Sequence, residues 1–257
     1  MATELTIDDH LDGLATAVAR GTAAARTAGL DAAVPTCPTW DVRDLVAHVG
    51  MVHRWAAAHL QGHGDDVGSG AAVTRAGRES PDPVEWWAHG AARLAEVLRT
   101  VRDDVRALVF LHDAPPPRRF WARRQCHEAT VHAVDAQAAE LGRSPTAAES
   151  GIGEALALDG LDELLSGFLT RGRKLAVEEP RTLAVRPHGD AASWTMTLGA
   201  GSAVTVRHPR GTAVDADHTI AGSPVGLYLA LWNRGDELDA DEETLAWWRA
   251  VTRIRWS

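Results

Sequence analysis

The sequence is poor in cysteine: Cys37 and Cys126 are the only two in 257 residues. Two cysteines are too few for a disulfide framework or for a zinc site built from cysteine, and their scarcity fits a reducing compartment. The sequence also lacks an apolar run of about 18 residues, the length that a membrane span requires. Its N-terminus has no basic region followed by a hydrophobic stretch. We therefore expect a cytoplasmic protein without a membrane partner.

The sequence also has fewer basic than acidic residues: it contains 26 Lys and Arg and 35 Asp and Glu, which gives a formal net charge of -9. Proteins that bind nucleic acid usually present a basic face, so a nucleic-acid partner is not expected. An acidic balance by itself indicates solubility rather than a particular partner. The chain is expected to be a monomer or a small homo-oligomer.

What the sequence does contain is enough apolar material, 45% of 257 residues, to build one large core or two smaller ones. The first half predicts four helices by the spacing of its apolar residues and by its Gly and Pro boundaries, at about 7–28, 42–60, 84–101 and 119–141. Glycine, charge and small residues in 61–80 predict a long mobile connection. Four helices that can run antiparallel favour a helical bundle.

After Gly142 the pattern changes to short alternating or β-branched segments. One more helix is predicted at about 153–169, then four strands at 181–186, 193–198, 203–207 and 212–220, and finally helices at 221–232 and 242–249. The predicted fold is therefore α+β with two domains. A helical bundle would occupy residues 1–145, and a small α+β domain would occupy residues 146–257.

The most informative segment is 123–136, which contains no glycine or proline and favours a helix. Glu128 and His132 are four residues apart, so they lie about 40° apart on the helix and point the same way. Such a pair can bind a metal ion. His127 would lie about 140° from His132 and is not expected to share its ion. The pattern differs from the His-Glu-x-x-His of zinc proteases, where the two histidines are the spaced pair.

A third ligand would complete a site that keeps an open position for water or substrate. His48 is the best candidate, since it lies in the apolar stripe of the second helix; the alternative is an ordinary core histidine. Asp135 could accept a hydrogen bond from a ligand histidine, although a surface carboxylate near the helix end is an equal reading. Six further histidines occupy polar or loop settings and are expected to be solvated: His53, His89, His112, His188, His208 and His218.

Two segments, 34–48 (VPTCPTWDVRDLVAH) and 123–135 (RRQCHEATVHAVD), resemble the mycothiol-dependent maleylpyruvate isomerase family, which belongs to the DinB-like four-helix metalloproteins. The resemblance extends over most of the chain, including the small α+β domain. It implies that His48, Glu128 and His132 bind zinc. Two histidines and a glutamate suit zinc but are also compatible with nickel or iron. It also implies that Arg234, at the end of the helix after residue 221, faces the active site and could hold a carboxylate of the substrate or thiol.

The resemblance further implies that the open metal position takes the thiol of mycothiol. A dication stabilises the thiolate, which becomes a nucleophile near neutral pH. The thiolate would add to an electrophilic carbon, giving either a cis-trans isomerase, when it is eliminated again, or a transferase, when the thioether is kept. Two alternatives stay open: a hydrolase that uses metal-bound water, and a module that binds a small molecule without turnover.

Overall fold

The computed structural model describes residues 4–64, 69–111, 113–171, 177, 179–189, 191–199 and 202–252. These divide into two compact units. The helical unit comprises Leu5–Phe110 and Pro115–Pro145, and the α+β unit comprises Glu4, the described residues of Leu111–Ala114 and those from Thr146 onward. The predicted fold class is confirmed: a helical N-terminal region precedes a smaller region that contains a sheet.

The helical unit contains five helices among its described residues: α1 (Ile7–Ala28), α2 (Val42–Leu60), α3 (Gly70–Arg78), α4 (Pro83–Thr100) and α5 (Pro117–Leu141). Asp41 begins α2 with a capping box, because its carboxylate accepts the N–H of Asp44 at 2.7 Å while the Asp44 carboxylate accepts the N–H of Asp41 at 3.2 Å. Gly142 ends α5 in the left-handed conformation, with φ of 68°.

The four long helices pack in a ring in which α1 adjoins α5 and α4, and α2 adjoins the same two helices. Helices α2 and α5 are therefore neighbours. Every residue of α5 from 120 to 136 is buried, the charged ones included. A helix buried all round with so many polar side chains needs internal partners for them, and those partners define the candidate site.

The prediction of a long mobile connection at 61–80 is wrong for α3, Gly70–Arg78. Small residues suggested a loop, but here they let the helix lie close to its neighbours: Gly77 abuts the ring of Trp86 with no room for a side chain. The hydroxyl of Ser69 accepts an N–H of the first turn and starts the helix.

The α+β unit begins with α6 (Ala147–Ser150) and α7 (Glu154–Asp162), which continues as a π-helical segment, Glu163–Phe168. The strands are β1 (Arg181–Pro187), β2 (Ser193–Gly199), β3 (Ser202–His208) and β4 (His218–Gly222), followed by α8 (Pro224–Leu231) and α9 (Glu242–Val251). The sheet order is β3-β2-β1-β4, with β4 parallel to β1 and the other pairs antiparallel. One sheet face supplies core residues: Leu183, Val185, Trp194, Met196, Leu198 and Ile220.

The fourth strand was predicted at 212–220, and the prediction is wrong in its first part because β4 begins at His218. The carboxylate of Asp217 accepts both the N–H and the hydroxyl of Thr182 at 2.8 Å, which pins the chain where β4 begins. The helix predicted from 221 begins at Pro224 instead, because Ser223 caps it. In the part of the chain that the structure describes, no helix is both long and apolar enough to cross a membrane.

Candidate metal centre

The structure brings together the three residues predicted as metal ligands, one from α2 and two from α5. Nε2 of His48 lies 3.4 Å from Oε1 of Glu128, and Nε2 of His132 lies 3.2 Å from the same oxygen. The three candidate ligand atoms lie within 4.8 Å of one another. Two imidazole nitrogens and a carboxylate oxygen at this spacing can bind one divalent ion. His48 is the most accessible of the three, with 19% of its side chain exposed.

Asp135 lies beside the site and orients one of these histidines. Its Oδ2 is 2.8 Å from Nδ1 of His132, so Nδ1–H donates to Asp135 and Nε2 is the ring atom that faces Glu128 and is available to a metal ion. The hydroxyl of Thr36 donates to Oδ1 at 2.5 Å, and the thiol of Cys37 donates to Oδ2 at 3.6 Å. Asp135 is fully buried, so the reading as a surface carboxylate is wrong.

A tight loop between α1 and α2 covers the same two histidines. The ring of Trp40 lies 4.9 Å from the ring of His48 and 6.0 Å from that of His132, centroid to centroid. Backbone hydrogen bonds close the loop: the N–H of Cys37 donates to Val34 at 2.9 Å, and that of Trp40 donates to Cys37 at 2.8 Å. The loop thus supplies a thiol, a hydroxyl and an indole ring to the surroundings of His132.

The charge of Glu128 is stabilised from two sides. Burial raises the pKa of this carboxyl, but hydrogen bonds from His132 and His48, together with the charges of His132 and Arg124, hold the pKa well below its usual range. Burial lowers the pKa of His132, yet its hydrogen bonds to Asp135 and Glu128 raise it overall. Without a metal the centre therefore favours a carboxylate, the form that binds metal.

The prediction that His53 is solvated is wrong, because this side chain is fully buried. Its Nδ1 lies 2.8 Å from Oε1 of Gln125 on α5, and the indole N–H of Trp87 on α4 donates to its Nε2 at 3.2 Å. The signal was present in the sequence: His53 follows Val46 by seven residues and precedes Leu60 by seven, on the buried side of α2.

His218, also predicted as solvated, is buried in the α+β unit, where its Nδ1 lies 3.0 Å from the hydroxyl of Thr244. His89 and His188 are exposed as predicted. His112 lies outside the described residues. Arg234 belongs to the α+β unit, is 2% exposed and donates through Nη1 to the carbonyl of Trp232 at 2.7 Å.

A helical bundle with a His-Glu-His group suited to a metal, followed in sequence by a small α+β unit, defines the class of this protein. Two family models match the chain: the mycothiol maleylpyruvate isomerase N-terminal domain over residues 11–137, and the MDMPI C-terminal domain over residues 155–250. The chain belongs to the mycothiol-dependent maleylpyruvate isomerase family. It is a maleylpyruvate isomerase-like enzyme, and the family implies a thiol-dependent isomerase.

Solved structures agree with this assignment at the level of the fold. One is the crystal structure of the mycothiol-dependent maleylpyruvate isomerase, with 16% identity and a TM-score of 0.58. The other is a histidine-to-alanine mutant of that isomerase, with 17% identity and a TM-score of 0.62. The similarity covers 100% of this chain and 100% of each of those chains. Among curated proteins, none matches this sequence significantly.

Proposed function

We propose that His48, Glu128 and His132 bind one divalent metal ion, with zinc as the first candidate and nickel or iron as alternatives. The observation that carries the proposal is the approach of both Nε2 atoms to Oε1 of Glu128, at 3.4 and 3.2 Å. The donor set fits such an ion: Asp135 holds His132 in the tautomer that a metal ligand needs, and Glu128 favours its ionised form. Three protein ligands would leave a position open.

The thiol of mycothiol is the proposed occupant of that open position, in keeping with the family to which the chain belongs. When bound, the ion would supply the positive charge that keeps a thiol ionised near neutral pH. The surrounding side chains orient and shield the ligands. Asp135 fixes the ring of His132, and Trp40 shields one side of both imidazoles from water. The partially exposed His48 marks the side from which a small molecule can approach.

The substrate would be a small electrophile. In an isomerase reaction it would contain a cis double bond, and in a thiol transfer it would contain a carbon that accepts the thiolate or carries a leaving group. A carboxylate on the substrate is the group that a guanidinium binds best, because it can accept two parallel hydrogen bonds. The assignment of that task to Arg234 stays a prediction. Arg234→Lys would test it: a clamp predicts a higher KM for carboxylate-bearing substrates only.

The proposal is tested by metal content together with thiol chemistry. We expect about one divalent ion per chain in the purified protein, as a three-ligand site implies, and loss of that ion in His48→Ala, Glu128→Ala and His132→Ala. Exposed His89, changed to Ala, serves as the control. With mycothiol and monochlorobimane, the wild type should form the thioether, and with maleylpyruvate it should form the trans product.

Each failure has its own meaning. A protein that contains no metal and takes up none would contradict the proposed centre. A metal-containing protein that ignores mycothiol but hydrolyses esters or amides would favour metal-bound water instead. If a variant that carries all three alanine substitutions still binds mycothiol or maleylpyruvate, and the wild type shows no turnover, a binding module would be favoured.

A further inference from the structure

The two carboxylate oxygens of Glu128 have different partners. Oε1 faces the two imidazoles, at 3.4 Å from His48 and 3.2 Å from His132. Oε2 lies 3.1 Å from Nη2 of Arg124, one turn earlier on α5. The carboxylate is thus shared between a histidine side and an arginine side, and the arginine has no place in the ligand set described above.

The burial of Arg124 indicates that this side chain has a function. The Arg124 side chain is 3% exposed and that of Glu128 is 6% exposed. Taking a guanidinium out of water costs several kcal/mol unless its hydrogen-bond donors are well paired. An apolar residue would fill the same core position of α5 at lower cost. A charge held at this position therefore indicates a task beyond packing.

We propose that Arg124 is a positioning residue of the metal centre, which holds Oε2 of Glu128 so that Oε1 alone is presented to the ion. The inference rests on the proposed function, because it supposes that a metal binds. A carboxylate can bind a metal through one oxygen or through both. With Oε2 held by Arg124, Glu128 would occupy one coordination position instead of two, and a position would stay available for the thiol.

The charge of Arg124 has a second effect. A divalent ion with the carboxylates of Glu128 and Asp135 would be neutral as a group, and an incoming thiolate would make it negative. The guanidinium leaves a single positive charge on these groups, which one thiolate neutralises. Arg124 thus lowers the affinity of the centre for the metal ion somewhat, because like charges repel. It also favours an anionic fourth ligand.

The two effects predict an unusual result for Arg124→Leu, namely tighter metal binding together with a loss of thiol binding. We expect Zn²⁺, measured by competition with a chelator, to bind about tenfold more tightly, since a cation is removed from the neighbourhood of a dication. Bound Co²⁺ should absorb more weakly in the visible range, because a second oxygen of Glu128 raises the coordination number. Arg124→Gln keeps an N–H donor without the charge, so it should bind Zn²⁺ more tightly than the wild type and change the Co²⁺ spectrum less than Arg124→Leu does.

Two variants serve as controls. Arg124→Lys keeps the charge and one donor, so its Zn²⁺ affinity and Co²⁺ spectrum should be close to those of the wild type. Arg119→Leu removes an arginine of the same helix that donates to the carbonyl of Leu5 at 3.1 Å, and it should leave both quantities unchanged. Far-UV circular dichroism establishes that each variant is folded.

The outcomes distinguish a failure of the proposed metal centre from a failure of the role proposed for Arg124. A wild type that binds neither Zn²⁺ nor Co²⁺ overturns the proposed function and this inference with it. If the wild type binds both ions and the Leu and Gln variants of Arg124 match it, only the inference is overturned. Weaker Zn²⁺ binding with an unchanged Co²⁺ spectrum in folded variants shows a merely structural arginine and also overturns it.

Discussion

His53 is held neutral in the core of the helical unit, and this makes the stability of that unit sensitive to acid. The indole N–H of Trp87 can only donate, so Nε2 of His53 must accept, at 3.2 Å. Its Nδ1–H then donates to Oε1 of Gln125 at 2.8 Å. A proton added to Nε2 would face the indole N–H, donor against donor, inside a site that water does not reach.

The size of the effect follows from the pKa. Burial lowers the pKa of His53 from its usual 6.5 to about 4. Between these values the unfolded chain binds a proton and the folded chain does not, so the stabilisation is complete above pH 6.5 and is lost as the pH falls toward 4. A difference of about 2.5 pKa units corresponds to about 3 kcal/mol in all, of which about 2 kcal/mol is lost between pH 7 and pH 5.

The measurement is urea unfolding followed by far-UV circular dichroism at pH 7 and pH 5, with a chelator present so that metal release does not contribute. We compare the wild type with His53→Gln, whose amide cannot titrate, and with His89→Gln, whose parent side chain is 73% exposed. The free energy of unfolding should fall by about 2 kcal/mol more in the wild type than in His53→Gln. Equal losses in these two proteins would refute the reasoning, whereas His89→Gln should follow the wild type.

Three further changes test the packing and the site. Asp135→Asn keeps the shape but removes the charge that orients His132, so Zn²⁺ affinity measured with a chelating dye should fall by about 10-fold to 100-fold; an unchanged affinity would contradict this role. Gly21→Ala would place a methyl group against the ring of Trp87 and 3.1 Å from Cα of Ala133. It should lower the free energy of urea unfolding by about 1–2 kcal/mol, the cost of overpacking less the gain in helix propensity. Asp41→Ala removes the cap of α2 and should cost about 1 kcal/mol in the same assay; no change would show that the cap is dispensable.

The elements that local chemistry specifies could be predicted well. The capping residue Asp41 and the glycine after Ala28 mark helix ends, so α1 and α2 have the predicted bounds. Glu128 and His132 were placed on one helix face because their spacing alone requires it. Helix α3 was missed because its small residues serve contacts with other helices, which no local pattern reveals.

The candidate centre contains contacts that the local sequence pattern does not predict. His48 could be named as a candidate ligand from the sequence. Its contact with Glu128, however, joins α2 to α5 and depends on how far one helix is shifted along the other. The role of His53 on α2 depends on which atom of α5 it meets, here Oε1 of Gln125. Arg124 pairs with Glu128 on its own helix, but it takes Oε2 while the other oxygen faces His48 of α2. Such shifts come from packing over the whole core rather than from the preferences of a few neighbouring residues.

The sequence by itself determined the four long helices of the first half, the α+β character of the second half and the pairing of Glu128 with His132, because each depends on residues a few positions apart. Only the tertiary structure decided that His48 reaches the same carboxylate oxygen, that Asp135 is buried against His132, and that Arg124 takes the other oxygen of Glu128. The physical reason is that these contacts join helices or depend on burial. Both are set by the packed core as a whole.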